Sequence, residues 1–468
     1  MFASKNVYKT KSNSNPISSN IFCADPGALV YKDRLYVYGT NDQQQFICTK
    51  QNSYERITSL VCFSTDDMVN WTFHGEIDVK AAAPWILNSW APDVCIKKMP
   101  DGSDKFFMYF SNNGCGVGVL CADSPLGPWK DPLGAPIIDM FMPELHDCPN
   151  PFDPGVCIDK NGTGWLCFGG GVASGCDELF PGTARIVRLK EDMISLDSDF
   201  IKIPAPYFFE SSNLQYINDT FIYTYNNNWD EHNRWNYNAP KPTQCSMSYM
   251  ITKTPENPES WEYKNHYFMN PGDMGLNYSN NHISCVKFKG QWYIFFHTLL
   301  LQENMPVSGG FRSICVDKLI FDEEKTAFSL SMGTRHGVSA IKNLNPFEDV
   351  AGTSIFTSAD IGFTDLNSPE TIASKACADG AWFMVKNVDL QKGTSKIQAE
   401  LKGKGSVELR IGSLSNPASA VINIDSSDFM QLESPVKKMN IFALSGIKDV
   451  YFVFSNADIC LKKWKLVK

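Results

Sequence analysis

The chain has 468 residues, a formal net charge of −9 and 13% aromatic residues, and it contains no run of five or six basic residues. This acidic balance excludes the class of basic nucleic-acid-binding proteins and argues against an anionic membrane surface as a partner. No stretch is long and apolar enough for a membrane span. We therefore expect no nucleic acid and no membrane among its partners.

The first predicted element is a β-hairpin at residues 24–40, which begins with Asp25 and a Pro-Gly turn. Two strands rich in Val, Tyr and Leu flank a polar corner at residues 32–34, a pattern typical of a β-hairpin. The pattern recurs at intervals of about 57–72 residues, opened by Asp93, Asp153, Glu210 and His282. Five such repeats predict a five-bladed β-propeller, whose inner strands bring their opening residues to one mouth of the axis.

The alternative is a set of unrelated hairpins whose acids are solvated turn residues. The similar register of all the copies favours the propeller. The outer hairpins repeat as well, because strand, polar turn and tryptophan follow one another at Trp71, Trp129 and Trp261. Residues 1–20 are polar, and we expect them to form an extended arm or a lead-in strand.

The repeat stops around residues 341–349, and the pattern changes from Gly352 onward. Short alternating strands separated by turn residues predict a β-sandwich of the jelly-roll type. These strands are expected at 382–390, 395–403, 406–413, 420–427, 441–446 and 449–455. The predicted fold is all-β, with a propeller over residues 1–345 followed by a sandwich over residues 346–468.

The number and spacing of the cysteines indicate the redox state of the cellular compartment in which the protein resides. Fifteen cysteines, an odd number, are scattered through strand-like segments without a CxxC motif or the spacing of a zinc site. The N-terminal residues contain no apolar core of a signal peptide. We expect reduced thiols and a cytoplasmic protein, with a secreted form lacking its leader as the alternative.

The predicted mouth suggests a chemistry. Carboxylates that crowd one cavity raise the pKa of at least one of them, so one group can donate a proton while another remains an ionised base. Inverting glycoside hydrolysis requires such a pair, with a separation of roughly 6.5–9.5 Å that leaves room for a water molecule. No Ser-His-Asp pattern, phosphate loop or zinc spacing points to a competing chemistry.

Five motifs carry a resemblance to a known family. They are ADP at 24–26, WAPD at 90–93, FDPGVCID at 152–159, FFES at 208–211, and HxS…KGxWYxFxH at 282–297. Together they resemble glycoside hydrolase family 43 enzymes of the arabinofuranosidase and β-xylosidase type. The resemblance implies a five-bladed propeller, Asp25 as general base, Asp153 as the carboxylate that tunes the acid's pKa, and Glu210 as general acid. Ser211 departs from the Gly or Ala that often follows the catalytic Glu, and Asp93 is expected to be structural.

Three further residues are candidates for binding. The resemblance implies that His282 contacts a Ca²⁺ ion at the propeller axis together with water, although calcium prefers oxygen ligands; the alternative is a hydrogen-bonded histidine. Trp90 is a candidate for stacking on the sugar or, alternatively, a packed strand-entry aromatic. Arg312 is a candidate for binding a sugar hydroxyl or holding Glu210, with a surface ion pair as the alternative. No organic cofactor is implied.

The C-terminal sandwich resembles a family 6 carbohydrate-binding module, through DGAWFMVKNVDL at 379–390 and DVYFVFS near the end. In that family an aromatic pair and an Asn line the sugar cleft. Trp382 and Phe429 fall near the two ring positions, whereas Leu461 stands where the Asn is expected. We therefore expect this domain to stabilise the propeller rather than to bind sugar.

These observations lead to three functional hypotheses. The first is an inverting, exo-acting α-L-arabinofuranosidase that releases arabinose side groups from arabinoxylan-derived oligosaccharides. The second is a β-xylosidase acting on xylo-oligosaccharides, since the family uses one carboxylate set for both pentoses. The third is a non-catalytic carbohydrate-binding protein, which the presence of all three carboxylates disfavours.

Overall fold

The computed structural model describes residues 7–172, 175–437 and 444–468. Strands dominate these residues, and the helices are short: α1 Asp42–Cys48, α2 Val79–Ala82 and α3 Leu300–Glu303, with 3-10 turns at Pro143–Leu145, Pro258–Ser260 and Pro271–Met274. None of the described helices has the length and apolar character needed to cross a bilayer.

Five antiparallel sheets follow one another along the first two thirds of the chain, and each pairs its strands in sequence order. These five blades confirm the predicted propeller. Their strands are β1 Ala24–Tyr31, β2 Arg34–Thr40, β3 Leu60–Thr65 and β4 Trp71–Ile77; β5 Trp90–Lys98, β6 Asp104–Ser111, β7 Gly116–Ala122 and β8 Ile138–Asp139; β9 Gly155–Ile158, β10 Gly164–Phe168, β11 Arg185–Arg188 and β12 Ile201–Lys202; β13 Phe208–Ile217, β14 Thr220–Asn227, β15 Met247–Thr252 and β16 Glu262–Phe268; β17 Ile283–Phe288, β18 Gln291–Thr298 and β19 Ser313–Lys318.

The N-terminal segment closes the ring of blades. The fifth sheet contains three strands, and the chain before β1 lies along its outer strand. The amide of Ile17 donates to the carbonyl of Ile314 at 2.9 Å, and the side chain of Asn15 accepts from the amide of Val316 at 2.8 Å. The predicted lead-in arm therefore joins the first blade to the last, although residues 1–6 of that arm lie outside the described residues.

A bulge near the start of the inner strands positions the functional residues. In four blades one residue there adopts the left-handed conformation, with φ between 43° and 62°: Asp25, Ala91, Asp153 and Ser211. Such a conformation is strained for a residue with a side chain and is typical of functional sites. Strand pairing shifts its register at the same point in blades one, two and four. Because a bulge redirects side chains, it turns selected residues of these inner strands toward the mouth.

The C-terminal sandwich is built around a large apolar core. Between the propeller and this domain lie a hairpin of β20 Phe321–Asp322 and β21 Ala327–Phe328 and, after the first strand of the sandwich, the short strand β23 Ser354–Ile355. The strands of the sandwich are β22 Val350–Ala351, β24 Thr357–Ala359, β25 Ile361–Thr364, β26 Ala373–Ala376, β27 Trp382–Asp389, β28 Lys396–Ile411, β29 Ala420–Pro435, β30 Ile447–Phe454 and β31 Cys460–Val467. Strand β23 pairs with β4, so the segment after the propeller extends blade one. The boundary between residues 345 and 346 stays a prediction.

One detail of the predicted sandwich is wrong. The strands expected at 395–403 and 406–413 are a single strand of 16 residues, β28. Gly403 and Gly405, with φ of 121° and 141°, bend this strand at a bulge instead of ending it. Residues 441–443 of another predicted strand lie outside the described residues.

Candidate active site

A cavity of about 110 Å³ opens at the propeller mouth, and we call it the mouth pocket. It is lined by Asp25, Tyr54, Trp90, Phe152, Asp153, Glu210, Asn280, His282 and Arg312. The structure thus brings together all six residues selected from the sequence, although they lie far apart in the chain. Pockets for drug-sized ligands measure roughly 300–1,000 Å³, so this cavity suits a single small ring.

Asp25 is buried and strongly hydrogen-bonded. Its Oδ1 accepts from Nη1 of Arg312 at 2.9 Å, and its Oδ2 accepts from the hydroxyl of Thr40 at 2.7 Å. Burial alone would raise the pKa of Asp25, but the Arg312 guanidinium, together with His297 and His282, outweighs burial and lowers the pKa well below its usual range. Asp25 is therefore an ionised carboxylate at neutral pH.

Arg312 is held by a second acid that the sequence repeats do not reveal. Asp42, at the start of α1, has a fully buried side chain. Its Oδ2 accepts from Nε of Arg312 at 3.0 Å and its Oδ1 accepts from Nη2 at 2.9 Å, in a bidentate pair. The guanidinium thus connects Asp42 to Asp25. Arg312 therefore pairs with Asp25 and Asp42, and not with Glu210 as one of the hypotheses had it. The alternative of a surface ion pair is wrong, because Arg312 is only 3% exposed.

Asp153 is buried in the same pocket, and no arginine among the described residues pairs with it. Its Oδ1 accepts from the hydroxyl of Ser111 at 3.2 Å, and its Oδ2 accepts from the amide of Ser211 at 3.0 Å. Burial raises the pKa of Asp153, the neighbouring His282 opposes this rise, and the charge of Asp25 adds to it. Asp153 therefore holds a proton more readily than Asp25 does.

Glu210 has the most strongly raised pKa of the three acids. Burial raises it first, and the charges of Asp153 and Asp25 raise it further, so its pKa lies well above the usual range. The side chain of Asn280 hydrogen-bonds the carboxyl group. His297 connects this side to Asp25, because its Nδ1 accepts from the Asp25 amide at 3.1 Å while its Nε2 donates to the Asn280 carbonyl at 2.7 Å.

His282 lies between the two aspartates. Its Nδ1 is 3.8 Å from Oδ1 of Asp25 and 3.7 Å from Oδ2 of Asp153, and burial lowers the pKa of the imidazole. Within the described residues no group of three or more His, Cys, Asp or Glu side chains has the geometry to hold a metal ion. Calcium prefers six to eight oxygen ligands. The residues present therefore do not form a calcium cage, and an ion here would rest on one imidazole and on water.

Asp93 does not reach the mouth pocket, which corrects the expectation that the five openers converge there. It lies deeper, in a separate cavity along the axis that Gln215 and Ser284 also line. Its Oδ2 accepts from the amide of Val156 at 2.8 Å, and burial raises its pKa to about 7. Because the bulge of blade two falls at Ala91, the residue that faces the pocket is Trp90, three positions earlier. The expected structural role of Asp93 fits this place.

Tyr54 is a pocket residue that the repeats could not reveal, because it lies in a loop particular to blade one. Its ring centroid is 4.7 Å from Cζ of Arg312, and its φ is 63°. The indole nitrogen of Trp90 donates to the Tyr54 carbonyl at 3.3 Å, and the two rings meet edge to face at 6.2 Å. Together the two rings form an aromatic wall beside the charged groups of the pocket. Of the two residues, only Trp90 could be selected as a binding candidate from the sequence.

In the sandwich, the three residues at the expected sugar-cleft positions have different surroundings. Trp382 is half-buried and packs near the ring of Tyr451, with a centroid separation of 6.0 Å. Phe429 lies under Lys402, whose ammonium is 4.7 Å from the ring centroid. Leu461 is fully buried in the sandwich core. No polar side chain therefore replaces the expected Asn at position 461.

A carboxyl group that retains its proton and an ionised carboxylate, facing one sugar-sized pocket, are the components of acid–base glycoside hydrolysis. Fold and site thus define the class of glycoside hydrolases. Comparison with known protein families agrees. The model of the family described as "Glycosyl hydrolases family 43" matches residues 13–326 of this chain. The chain belongs to this family.

Two relatives match nearly the whole chain. An arabinoxylan arabinofuranohydrolase of Paenibacillus polymyxa is 32% identical over 97% of this chain and 74% of its own length. The protein of the same name from Bacillus subtilis is 32% identical over 97% of this chain and 91% of its own length. The crystal structure of a family 43 arabinoxylan arabinofuranohydrolase from Bacillus subtilis, in complex with cellotetraose, superposes with a TM-score of 0.89 at 30% identity, covering 99% of both chains.

Proposed function

We propose that this protein is an inverting, exo-acting α-L-arabinofuranosidase that releases arabinose side groups from arabinoxylan-derived oligosaccharides. The observation that carries the proposal is the opposite pKa shift of two acids in one pocket, lowered for Asp25 and raised for Glu210. The two relatives named for arabinoxylan support the choice of substrate.

The reaction follows from these protonation states. Glu210 donates its proton to the glycosidic oxygen while the bond from that oxygen to the anomeric carbon breaks. Asp25 accepts a proton from a water molecule, whose oxygen forms the new bond on the opposite face of the ring. The products are a free arabinose of inverted configuration and the shortened oligosaccharide. Asp153 assists because its negative charge favours the protonated form of Glu210.

The pocket walls support a single sugar ring. Trp90 offers an aromatic face, and Arg312 lies beside the ionised base with its guanidinium fixed by Asp42. A volume of about 110 Å³ accommodates one pentose but not a chain. This limit favours removal of a terminal or side-chain residue over cleavage inside a polymer.

One experiment separates the hypotheses. Arabinoxylo-oligosaccharides and xylo-oligosaccharides are incubated with the protein, and proton NMR identifies the first sugar released and its anomeric form. The proposal expects β-L-arabinofuranose, the inverted anomer, as the first product. Xylose as the main product would establish the β-xylosidase alternative. Binding of oligosaccharides without release would establish a non-catalytic protein, and retained configuration would overturn the assigned roles.

Two finer points belong to the same proposal. The thiols of all fifteen cysteines are free, which fits a reducing compartment and imported oligosaccharides as substrates. Cell fractionation tests this location, and recovery of the full-length protein outside the cell would contradict it.

A Ca²⁺ ion at His282 is tested by EDTA treatment and calcium addition. Loss of activity with EDTA and its recovery with calcium would support a bound ion. Unchanged activity and an unchanged Tm would contradict the calcium hypothesis.

A further inference from the structure

The histidine that ends the fifth sequence motif, His297, has no part in the reaction described so far. It lies on β18, the central strand of blade five, and its side chain is fully buried. It is not among the residues that line the mouth pocket. Any contribution of His297 to the reaction must therefore pass through the residues that its ring contacts.

One side of the ring contacts the general base. Nδ1 of His297 accepts from the backbone amide of Asp25 at 3.1 Å and lies 3.2 Å from Oδ1 of the same residue. The backbone of Asp25 is left-handed, with φ of 50°. A non-glycine residue keeps such a conformation only where its surroundings fix it. The ring is thus one of the contacts that hold the Asp25 carboxylate in place.

The other side of the ring contacts the neighbour of the general acid. Nε2 donates to the carbonyl of Asn280 at 2.7 Å and lies 3.1 Å from Oδ1 of the Asn280 side chain. A backbone amide only donates and a carbonyl only accepts, so the neutral ring carries its proton on Nε2. Because Oδ1 of Asn280 faces the ring, its NH₂ group is left to face Glu210, whose carboxyl group it hydrogen-bonds. A donor there stabilises the charge that Glu210 acquires when it gives up its proton.

We propose that His297 is a positioning residue that holds the general base and, through Asn280, the general acid in one arrangement. A single imidazole thereby connects the two groups that the reaction needs on opposite faces of the sugar ring. The inference rests on the proposed function, since it concerns the same reaction. The alternative is a histidine that only fills the interior of blade five.

Two substitutions separate the two sides of the ring. His297→Asn reaches as far as Nδ1 and can still accept from the Asp25 amide, but it loses the donor to Asn280. His297→Gln reaches as far as Nε2 and can still donate to Asn280, but it loses the acceptor for Asp25. Steady-state kinetics are measured on an arabinoxylo-oligosaccharide and on an aryl arabinofuranoside with a good leaving group, which needs less protonation.

His297→Asn should lower kcat/KM about 10–100-fold on the oligosaccharide, the size of one charge-assisted hydrogen bond, and clearly less on the aryl substrate. His297→Gln should lower kcat/KM by similar factors on both substrates, because either leaving group requires the general base. Asn280→Ala should reproduce the unequal losses of His297→Asn, and it tests the acid side if that variant does not fold. His74→Asn and His74→Gln, at a half-buried histidine on β4 that hydrogen-bonds Ser64, are the matched controls and should leave the ratio of the two activities unchanged.

A histidine that only fills the interior predicts the same pattern of losses for both substitutions. Equal ratios of oligosaccharide to aryl activity in His297→Asn and His297→Gln would therefore overturn the inference, and so would full activity of both variants. Failure of the wild type to release any pentose would instead overturn the proposed function, so the two failures are distinguishable.

Discussion

The two sides of the mouth pocket shift the pKa of a buried carboxyl group in opposite directions. On the side of blades one and five, Asp25 is buried, yet the guanidinium of Arg312 lowers its pKa. On the side of blades three and four, burial and the charge of Asp153 raise the pKa of Glu210. The cationic and hydrogen-bonding neighbours of each acid, Arg312 and His297 for Asp25, thus decide more than the type of acid which group is ionised and which retains a proton.

The largest effect is expected from Glu210. Glu210→Gln keeps the shape of the side chain but removes the transferable proton, so kcat/KM toward an oligosaccharide should fall about 10²–10⁴-fold. An aryl arabinofuranoside with a good leaving group needs less protonation and should lose less. Steady-state kinetics on both substrates measure the two losses.

Glu259→Gln is the matched control, because Glu259 is an exposed acid on the same blade. It should retain full activity on both substrates. Equal losses on the two substrates in Glu210→Gln would contradict the role of Glu210 as proton donor.

The second effect tests the other side of the pocket. Arg312→Met removes the cation beside Asp25, so burial then dominates and the pKa of Asp25 rises. The base is protonated at a higher pH, and the acid limb of kcat/KM against pH should move upward. At neutral pH we expect a loss of about 10–100-fold, the size of a lost charge-assisted contact. The pH profile is the measurement.

Arg312→Met also leaves the buried Asp42 without its partner, which destabilises the fold. The double variant Asp42→Asn with Arg312→Met avoids that charge and should show the same shift of the acid limb. Arg335→Met, at an exposed arginine of the segment that follows blade five, should leave the profile unchanged. An unmoved acid limb in both Arg312 variants would show that Asp25 is not the titrating base.

The sequence repeats predict the propeller and the clustering of Asp25, Asp153, Glu210 and His282 at its mouth, because each lies at or just before the start of an inner strand. Asp93 is the exception. The repeats do not predict ionisation. Asp25 and Asp153 are both followed by Pro-Gly, yet their pKa values move in opposite directions. The difference arises mainly from Arg312, which is distant in the chain and whose partner Asp42 opens helix α1, in the connection between β2 and β3.

The third effect concerns the coupling between the acids of blades three and four. Asp153→Asn removes a charge that, after burial, raises the pKa of Glu210. The pKa of Glu210 should therefore fall, and the alkaline limb of kcat/KM should move to lower pH. We expect a loss of about tenfold at neutral pH, because one pKa unit corresponds to about that factor. Asp199→Asn, at an exposed acid of the same blade, is the control. An unchanged alkaline limb would contradict the coupling.

The smallest effect is expected at Tyr54, whose ring covers Arg312 on the ionised side of the pocket. Tyr54→Phe keeps the ring and should change kcat/KM by less than about twofold, whereas Tyr54→Leu loses the cation–π contact and should lower it about 2–10-fold. The reason is that the ring keeps water from the guanidinium, so the charge of Arg312 acts more strongly on Asp25. Tyr54→Leu should therefore also move the acid limb upward, in the direction of Arg312→Met but by less. Equal effects of Phe and Leu would assign the contribution to the hydroxyl group instead of the ring.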